Sequence, residues 1–324
     1  MAENFEHSLF VGDEVHWLGA ATYQNSLLEC ADFRLGLSAT PNRYFDEEGT
    51  DVLMKYFGGV VYELPISKAL QIRDDRGNLV LCPYVYKPVV VNLNADEYEK
   101  YKEISQKIAR IKNSEEIQDK QSILENLYIA RSNVVKAASE KIPKLAEILN
   151  QLDTPISQTL IYCANFEQLQ LAAKILNKHG LHPQQITGEE SSGSSAKFNS
   201  KSEREHIISN FAAGYLDVLL AIECLDEGVD IPSARVGIIL ASSGNVKEFI
   251  QRRGRLMRPF PGKTLAEIYD LCVLPTVAEE VQSSRRLIEV ELERIIEFGE
   301  DAQNREEVLK FVEEYREELI NGRS

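Results

Sequence analysis

Four short apolar runs, Thr159–Cys163, Val218–Ile222, Val236–Leu240 and Ile268–Val273, are separated by segments long enough for helices. That rhythm restricts the second half of the chain to βαβ units, hence a parallel sheet with right-handed crossovers and helical layers. The first part repeats the theme more loosely. Ser8–Val11 and Arg34–Leu37 read as buried parallel strands and Val60–Leu64 as another short one. Asp74-Asp75-Arg76-Gly77-Asn78 reads as a turn joining two strands, and Val85–Leu93 as a strand.

From Asp96 to Leu152 the period changes to that of charged helices. Ile104, Ile108 and Ile111, then Ile123 and Leu127, then Ile142, Leu145 and Leu149 recur at helical spacing. Ser191–Ser200 is a Ser-rich loop, and Ser202 with Glu205 forms a capping box opening a helix through Phe211. The tail from Thr276 to Tyr315 is amphipathic, with Leu287, Val290 and Ile295 on one face. The 324 residues suffice for two cores. The expected division is an incomplete α/β lobe over 1–92, a helical connector over 93–152, a complete α/β lobe over 153–275 and an acidic helical segment over 276–324.

Net charge is −15, which gives no general attraction to nucleic acid. About half of it lies in the tail, since Glu279 to the end holds 14 acidic and 7 basic residues. Basic residues gather instead around Arg252 to Arg258, so a local cationic cleft is compatible with the acidic whole. Cys30, Cys82, Cys163, Cys224 and Cys272 are scattered without a C-x2-C pair, which argues for reduced thiols, a cytoplasmic setting and no zinc. No apolar run approaches membrane-spanning length.

Four constellations carry candidate chemistry. Asp13-Glu14-Val15-His16 follows the first strand. An acidic pair at a strand tip can hold Mg²⁺ and polarise water, or simply end a strand and cap the next helix. Ser38-Ala39-Thr40-Pro41 places two hydroxyls at the next strand tip, able to bond an acidic neighbour or a phosphate, or to make an ordinary turn. Gly228 and Asp230, in Glu223–Pro232, allow close backbone approach and an acceptor for a ribose or an arginine; a plain βα turn is the alternative. Gln251-Arg252-Arg253-Gly254-Arg255-Leu256-Met257-Arg258 sets Arg255 and Arg258 three apart without interspersed acids, which suits a polyphosphate better than a solvated face. Gly262-Lys263-Thr264 is set aside as a phosphate loop: Met257 stands where the earlier glycine belongs, prolines intervene, and a strand follows.

Taken in order, these elements resemble the superfamily 2 helicases and translocases from motif II to motif VI, with Asp13-Glu14-Val15-His16 closest to the DEAH-like branch of restriction-motor and repair helicases. The resemblance implies RecA-like lobes with ATP and Mg²⁺ held between them. It implies Asp13 as the metal contact and Glu14 as the water-activating group, with His16 completing the catalytic box. Ser38 and Thr40 match the coupling motif, Gly228 and Asp230 motif V, and Gln251, Arg255 and Arg258 motif VI with its arginine fingers. Asn165 and Phe166 fall where the second lobe meets the nucleic-acid backbone. Two residues depart from the pattern: Ile222 stands where motif V often has a threonine, and Gly12 where a bulkier residue is usual.

The Gly-x4-Gly-Lys-Ser/Thr loop that cradles phosphates has no room before Asp13. The expectation is therefore an ATP-dependent DNA helicase or translocase present as the C-terminal part of a longer motor, inactive by itself, with DNA favoured over RNA. A non-catalytic nucleic-acid-binding protein on a degenerate motor fold, or one half of a split motor completed by a partner subunit, are the alternatives.

Overall fold

Among the described residues every pair of named strands is parallel. The computed structural model describes residues 8–41, 46–114, 119–153, 155–187, 202–222, 231–241, 246–275 and 284–321, with the backbone alone at 246–249 and 320–321. The chain divides into two compact units, 1–68 and 69–324.

In the first unit, β1 (Leu9–Gly12) pairs in parallel with β2 (Phe33–Gly36), Leu9 opposite Phe33 and Gly12 opposite Gly36. Residues two apart share a face, so Phe10, Gly12, Arg34 and Gly36 lie on one side. There α1 (Glu47–Phe57) covers them. Phe10 meets Tyr56 and Phe57 with ring centroids 5.8 and 6.3 Å apart, and the Arg34 guanidinium lies 4.2 Å from the Tyr56 ring centre. A Cβ on Gly36 would stand 3.1 Å from the Phe57 ring, so glycine permits this close helix. Asp46 caps α1 by accepting from the Gly49 amide, and Gly58 ends it at φ 81°.

The opposite face carries Leu9, Val11, Phe33 and Leu35, all exposed. This differs from the burial expected of both strands. They are parallel as anticipated, but a two-stranded sheet with one covering helix leaves the second apolar face open. Val60–Leu64 is not a strand: it has no regular structure and Val61 is 85% exposed. A single helical turn, α2 (Ile66–Ala69), stands at the boundary between the units.

The second unit is a six-stranded sheet in the order β3-β8-β7-β4-β6-β5, every pair parallel. Its strands are β3 (Tyr84–Val91), β4 (Thr159–Cys163), β5 (Pro183–Ile186), β6 (Val218–Ile222), β7 (Val236–Ile239) and β8 (Ala266–Val273). The α/β reading therefore holds, with helices on both faces of an all-parallel sheet. The Asp74–Asn78 turn is present, with Gly77 at φ 81° and the Asp74 amide donating to the Asn78 carbonyl, but it joins an isolated antiparallel bridge between Arg73 and Leu79 rather than two strands.

The strand expected to close the first lobe, Val85–Leu93, is β3. It runs beside β8 along its whole length, Tyr84 opposite Ala266 and Val91 opposite Val273. Residues 69–92 thus belong with the second sheet, and the division falls after Lys68 rather than after 92. Strand β5 has no counterpart among the expected strands.

The connector is three helices: α3 (Ala95–Lys112), opened by a capping box of Asn94 and Glu97, α4 (Lys120–Lys136) and α5 (Lys141–Gln151). Tyr101, Ile104, Ile108, Leu124, Leu145 and Leu149 join α6 (Phe166–Lys178) and the Tyr269, Leu271 and Val273 side of β8 in one apolar core. Helix α7 (Glu203–Ala212) begins at the expected box of Ser202 and Glu205, and α8 (Val246–Leu256) lies between β7 and β8 in the chain. On the other face, Tyr86 stacks on Phe298 of α9 (Arg285–Glu300) at 4.9 Å, and the Tyr84 hydroxyl donates to the Phe298 carbonyl. Among the described residues the tail forms two helices, α9 ending at Glu300 and α10 (Arg305–Asn321) following it.

Buried between β3, β8 and α9 is an ionic cluster. Arg294 donates to both carboxylate oxygens of Glu291 at 2.7 Å and to Asp270 at 3.1 Å, and Tyr86 donates to the same Asp270 oxygen at 2.8 Å. None of the described helices is long and apolar enough to cross a membrane.

Candidate functional site

The tips of β1 and β2 assemble the acidic box with the hydroxyl pair. The two strands are tied just past their ends: the Leu37 amide donates to the Gly12 carbonyl at 2.8 Å and the Val15 amide to the Leu37 carbonyl at 3.0 Å. Gly12 is required by this turn, since a Cβ there would meet Val15 Cγ1 at 2.6 Å. That gives a physical reason for glycine at a position where a bulkier residue is expected. The chain then turns sharply through Glu14, held in the left-handed region at φ 48°, and enters a 3₁₀ helix over Val15–Gly19. A non-glycine residue in that region costs of order 1 kcal/mol or more and persists where the surroundings impose it.

The turn brings the side chains together. His16 is 7% exposed, and its Nδ1 lies 3.2 Å from Ser38 Oγ and 3.3 Å from Glu14 Oε2. Ser38 Oγ in turn accepts from the Thr40 amide at 3.2 Å. Asp13 is exposed and accepts from the Glu14 amide at 3.0 Å. The Glu14, His16 and Ser38 side chains therefore form one polar set, joined by the Thr40 backbone amide, with the exposed Asp13 beside it.

This donor set suits Mg²⁺ in one mode. Among the described residues no three His, Cys, Asp or Glu side chains converge to hold a metal alone. Mg²⁺ is ordinarily held by one or two carboxylates, with phosphates and waters completing its octahedron, so the exposed Asp13 carboxylate would fit a metal whose other ligands are nucleotide phosphates and water.

In the second unit, α8 carries Gln251 and Arg255 four residues apart, on one face. Arg258 lies just beyond the helix, its amide donating to the Arg255 carbonyl at 3.3 Å. Arg255 and Arg258 are thus not two positions of a continuing helix face, as spacing alone suggests. Their neighbours do the anchoring. Arg252, 2% exposed, donates to the Ala241 carbonyl at 2.9 Å and lies 5.2 Å from the Tyr162 ring centre. Arg253 donates to the Glu297 carbonyl at 3.0 Å and lies 5.2 Å from the Phe298 ring centre. Leu256 packs so closely on β7 that a Cβ on Gly237 would fall 2.2 Å from its Cδ1.

Gly228 and Asp230 lie outside the described residues, as does the Ser191–Ser200 loop. Asn165 is the N-cap of α6, its side-chain oxygen accepting from the Gln168 amide at 2.9 Å. Phe166 beside it is 53% exposed. Sequence reasoning misses the roles of Arg252 and Arg253. Their signal is the same basic run that marks Arg255, and burial does not tell them apart, since Arg255 is itself only 7% exposed; their bonds to the Ala241 and Glu297 carbonyls are what reveal the anchoring. Gly262-Lys263-Thr264 does run into β8 rather than a helix. Lys263 is buried with its ammonium bound to backbone carbonyls.

Residues 140–259 match the family described as "Helicase conserved C-terminal domain". A DNA 3'-5' translocase, XPB2, from Sulfurisphaera tokodaii is 26% identical over 77% of the chain and 55% of its own length. A Halobacterium salinarum protein named for the DNA 3'-5' helicase Rad25 is 27% identical over 78% of the chain and 35% of its own length. The chain thus spans about half the length, or less, of these relatives. Among solved structures, the helicase domain of Hef from Pyrococcus furiosus aligns with 82% of the chain and 71% of its own, at 19% identity and a TM-score of 0.41.

Proposed function

We propose that this superfamily 2 helicase-like chain belongs to an ATP-driven DNA helicase or translocase, in which it supplies the metal- and water-handling carboxylates and the arginine fingers, while the phosphate cradle comes from further polypeptide. The observation that carries the reading is the joining of Glu14, His16 and Ser38 across two strand tips, within 3.3 Å of one ring nitrogen. An acidic box that merely capped a helix would have no need of a hydroxyl from the next strand. The names of the XPB2 and Rad25 relatives favour DNA as the track.

Each residue has a definite task in this reading. Asp13, outermost and exposed, holds the metal directly or through water. Mg²⁺, when bound with ATP, neutralises phosphate charge and orients the phosphates for attack. Glu14 accepts the proton of the attacking water, and its left-handed backbone holds the carboxylate toward His16 Nδ1. His16 links that carboxylate to Ser38, so the protonation or position of Glu14 is felt at the Ser38-Thr40 segment, which couples the nucleotide to the grip on nucleic acid. Arg255 and Arg258 stabilise charge on the transferred phosphoryl group, a contribution of roughly 10³–10⁵ in rate where such fingers have been measured. Gly228 and Asp230 are assigned to the nucleotide side of the same chemistry, and Phe166, exposed at the start of α6, to the nucleic-acid backbone, with Asn165 shaping that helix start.

The exposed face of Leu9, Val11, Phe33 and Leu35 supports the need for further polypeptide, since parallel strands are normally covered on both faces. A preceding segment or a partner subunit bearing a Gly-x4-Gly-Lys-Ser/Thr loop would meet that need. The test is DNA-stimulated ATP hydrolysis by the chain assembled with such a loop. Glu14→Gln and Arg255→Ala should each nearly abolish turnover; normal turnover in either variant removes the assigned role.

A further inference from the structure

Lys263, set aside as part of a false phosphate loop, holds its charge where burial makes charge costly: it is 8% exposed and surrounded by backbone. Its ammonium donates to the Leu256 carbonyl at 2.6 Å, the Arg258 carbonyl at 3.0 Å and the Pro232 carbonyl at 3.2 Å. Leu256 ends α8 and Arg258 is itself one of the two finger arginines. Pro232 closes the Glu223–Pro232 segment that carries Gly228 and Asp230. The intervening Met257 carbonyl accepts from the Cys82 amide at 2.6 Å.

The last carbonyls of a helix have no partner within it, and a cation there also meets the negative end of the helix dipole. Here one buried ammonium takes the last carbonyl of α8, that of Arg258 just beyond it and one from a second loop, using all three of its N–H donors. We propose that Lys263 is a positioning residue that fixes the backbone of Arg255 and Arg258 and ties it to the backbone at Pro232. The inference rests on the functional reading above, because it gives the arginines a geometry worth fixing. Lys263 itself touches no phosphate. It acts by denying the finger backbone the small shifts that misplace a guanidinium, and displacements near 1 Å cost on the order of 10²-fold in rate.

The test is Lys263→Met in the chain assembled with a loop-bearing polypeptide, with ATPase kcat and KM measured separately. The expected result is a kcat lower by roughly 10- to 100-fold at a KM for ATP changed little, in a protein whose circular dichroism matches wild type. A wild-type kcat overturns the proposal, and so does a loss confined to KM. Should Lys263→Met fail to fold, Lys263→Gln, uncharged yet still a donor, takes its place with the same two criteria. If the wild-type assembly shows no turnover, the functional reading has failed instead. Amide exchange across residues 252–260 of the chain then decides the anchoring: faster exchange in the variant supports it, and unchanged exchange overturns it.

Discussion

Glu14 and Lys263 mark the two ways a single residue can matter here. Glu14 is legible in the sequence, because an acidic pair after an apolar run is a pattern with a chemical reason. Its left-handed backbone and its contact with His16 are not, since they depend on Gly12 letting Val15 close over the turn. Lys263, Arg252 and Arg253 are illegible in a stronger sense. Their partners are main-chain carbonyls, which every residue possesses and no sequence displays. Asn165 illustrates the converse: a polar residue after a strand reads alike as a backbone-phosphate contact or an N-cap, and its bond to the Gln168 amide is that of a cap.

Lys141 gives a test at the same scale that needs no activity. It is wholly buried, donates to the Leu240 carbonyl at 2.6 Å, and burial pulls its pKa from 10.5 down to about 8 against the opposing pull of Glu291. Between those values the unfolded chain holds the proton that the folded chain has lost, so this group makes folding more favourable as pH rises. Relative to Lys141→Met, wild-type stability should therefore be flat below pH ~8 and climb above it, by up to about 1.4 kcal/mol per pH unit toward pH ~10.5. Urea melts of both proteins at several pH values measure that difference. A difference that shrinks as pH rises contradicts the buried, depressed ammonium.

Among elements, the long apolar strands and the connector helices follow directly from periodicity, and β4, β6 and β8 fall where the runs place them. Strand β5 escapes because Pro183-Gln184-Gln185-Ile186 has no apolar run; its place comes from pairing with β6, a partner far along the chain. Membership of β3 in the second sheet is equally hidden, since nothing local to Tyr84–Val91 indicates that its neighbour is β8. Val60–Leu64 misleads in the opposite direction: β-prone composition without a sheet to join.

Two substitutions probe how these elements hold the second unit together. Gly237→Ala would force Leu256 off β7 and should destabilise that unit by about 1–3 kcal/mol in chemical denaturation. Arg294→Met would strand two buried carboxylates, Asp270 and Glu291, and should cost about 3–5 kcal/mol. Replacing all three with apolar residues of similar volume should recover much of that loss, because the penalty lies in the unpaired charge. A triple variant as unstable as the single one would show that the cluster contributes by attraction rather than by mutual neutralisation.

At the scale of the whole molecule, the order of motifs is more informative than any one of them. An acidic box, a hydroxyl tip, βαβ strands and an arginine-rich helix are each ambiguous, yet their succession along the chain foretells the all-parallel sheet and the match of residues 140–259 to a helicase C-terminal family. What order does not convey is the open side of the first unit, where Leu9, Val11, Phe33 and Leu35 stand exposed. The proposed function is a division of labour, in which this chain would supply the carboxylates and arginines of an ATPase and additional polypeptide the phosphate loop. It is tested most directly by DNA-stimulated ATP hydrolysis measured on the chain alone and on the chain joined to, or mixed with, a polypeptide carrying a Gly-x4-Gly-Lys-Ser/Thr loop. Negligible turnover by the chain alone, and DNA-stimulated turnover in the assembly that Arg255→Ala removes, are the expected results; full turnover by the chain alone, or an assembly indifferent to Arg255→Ala, refutes that division.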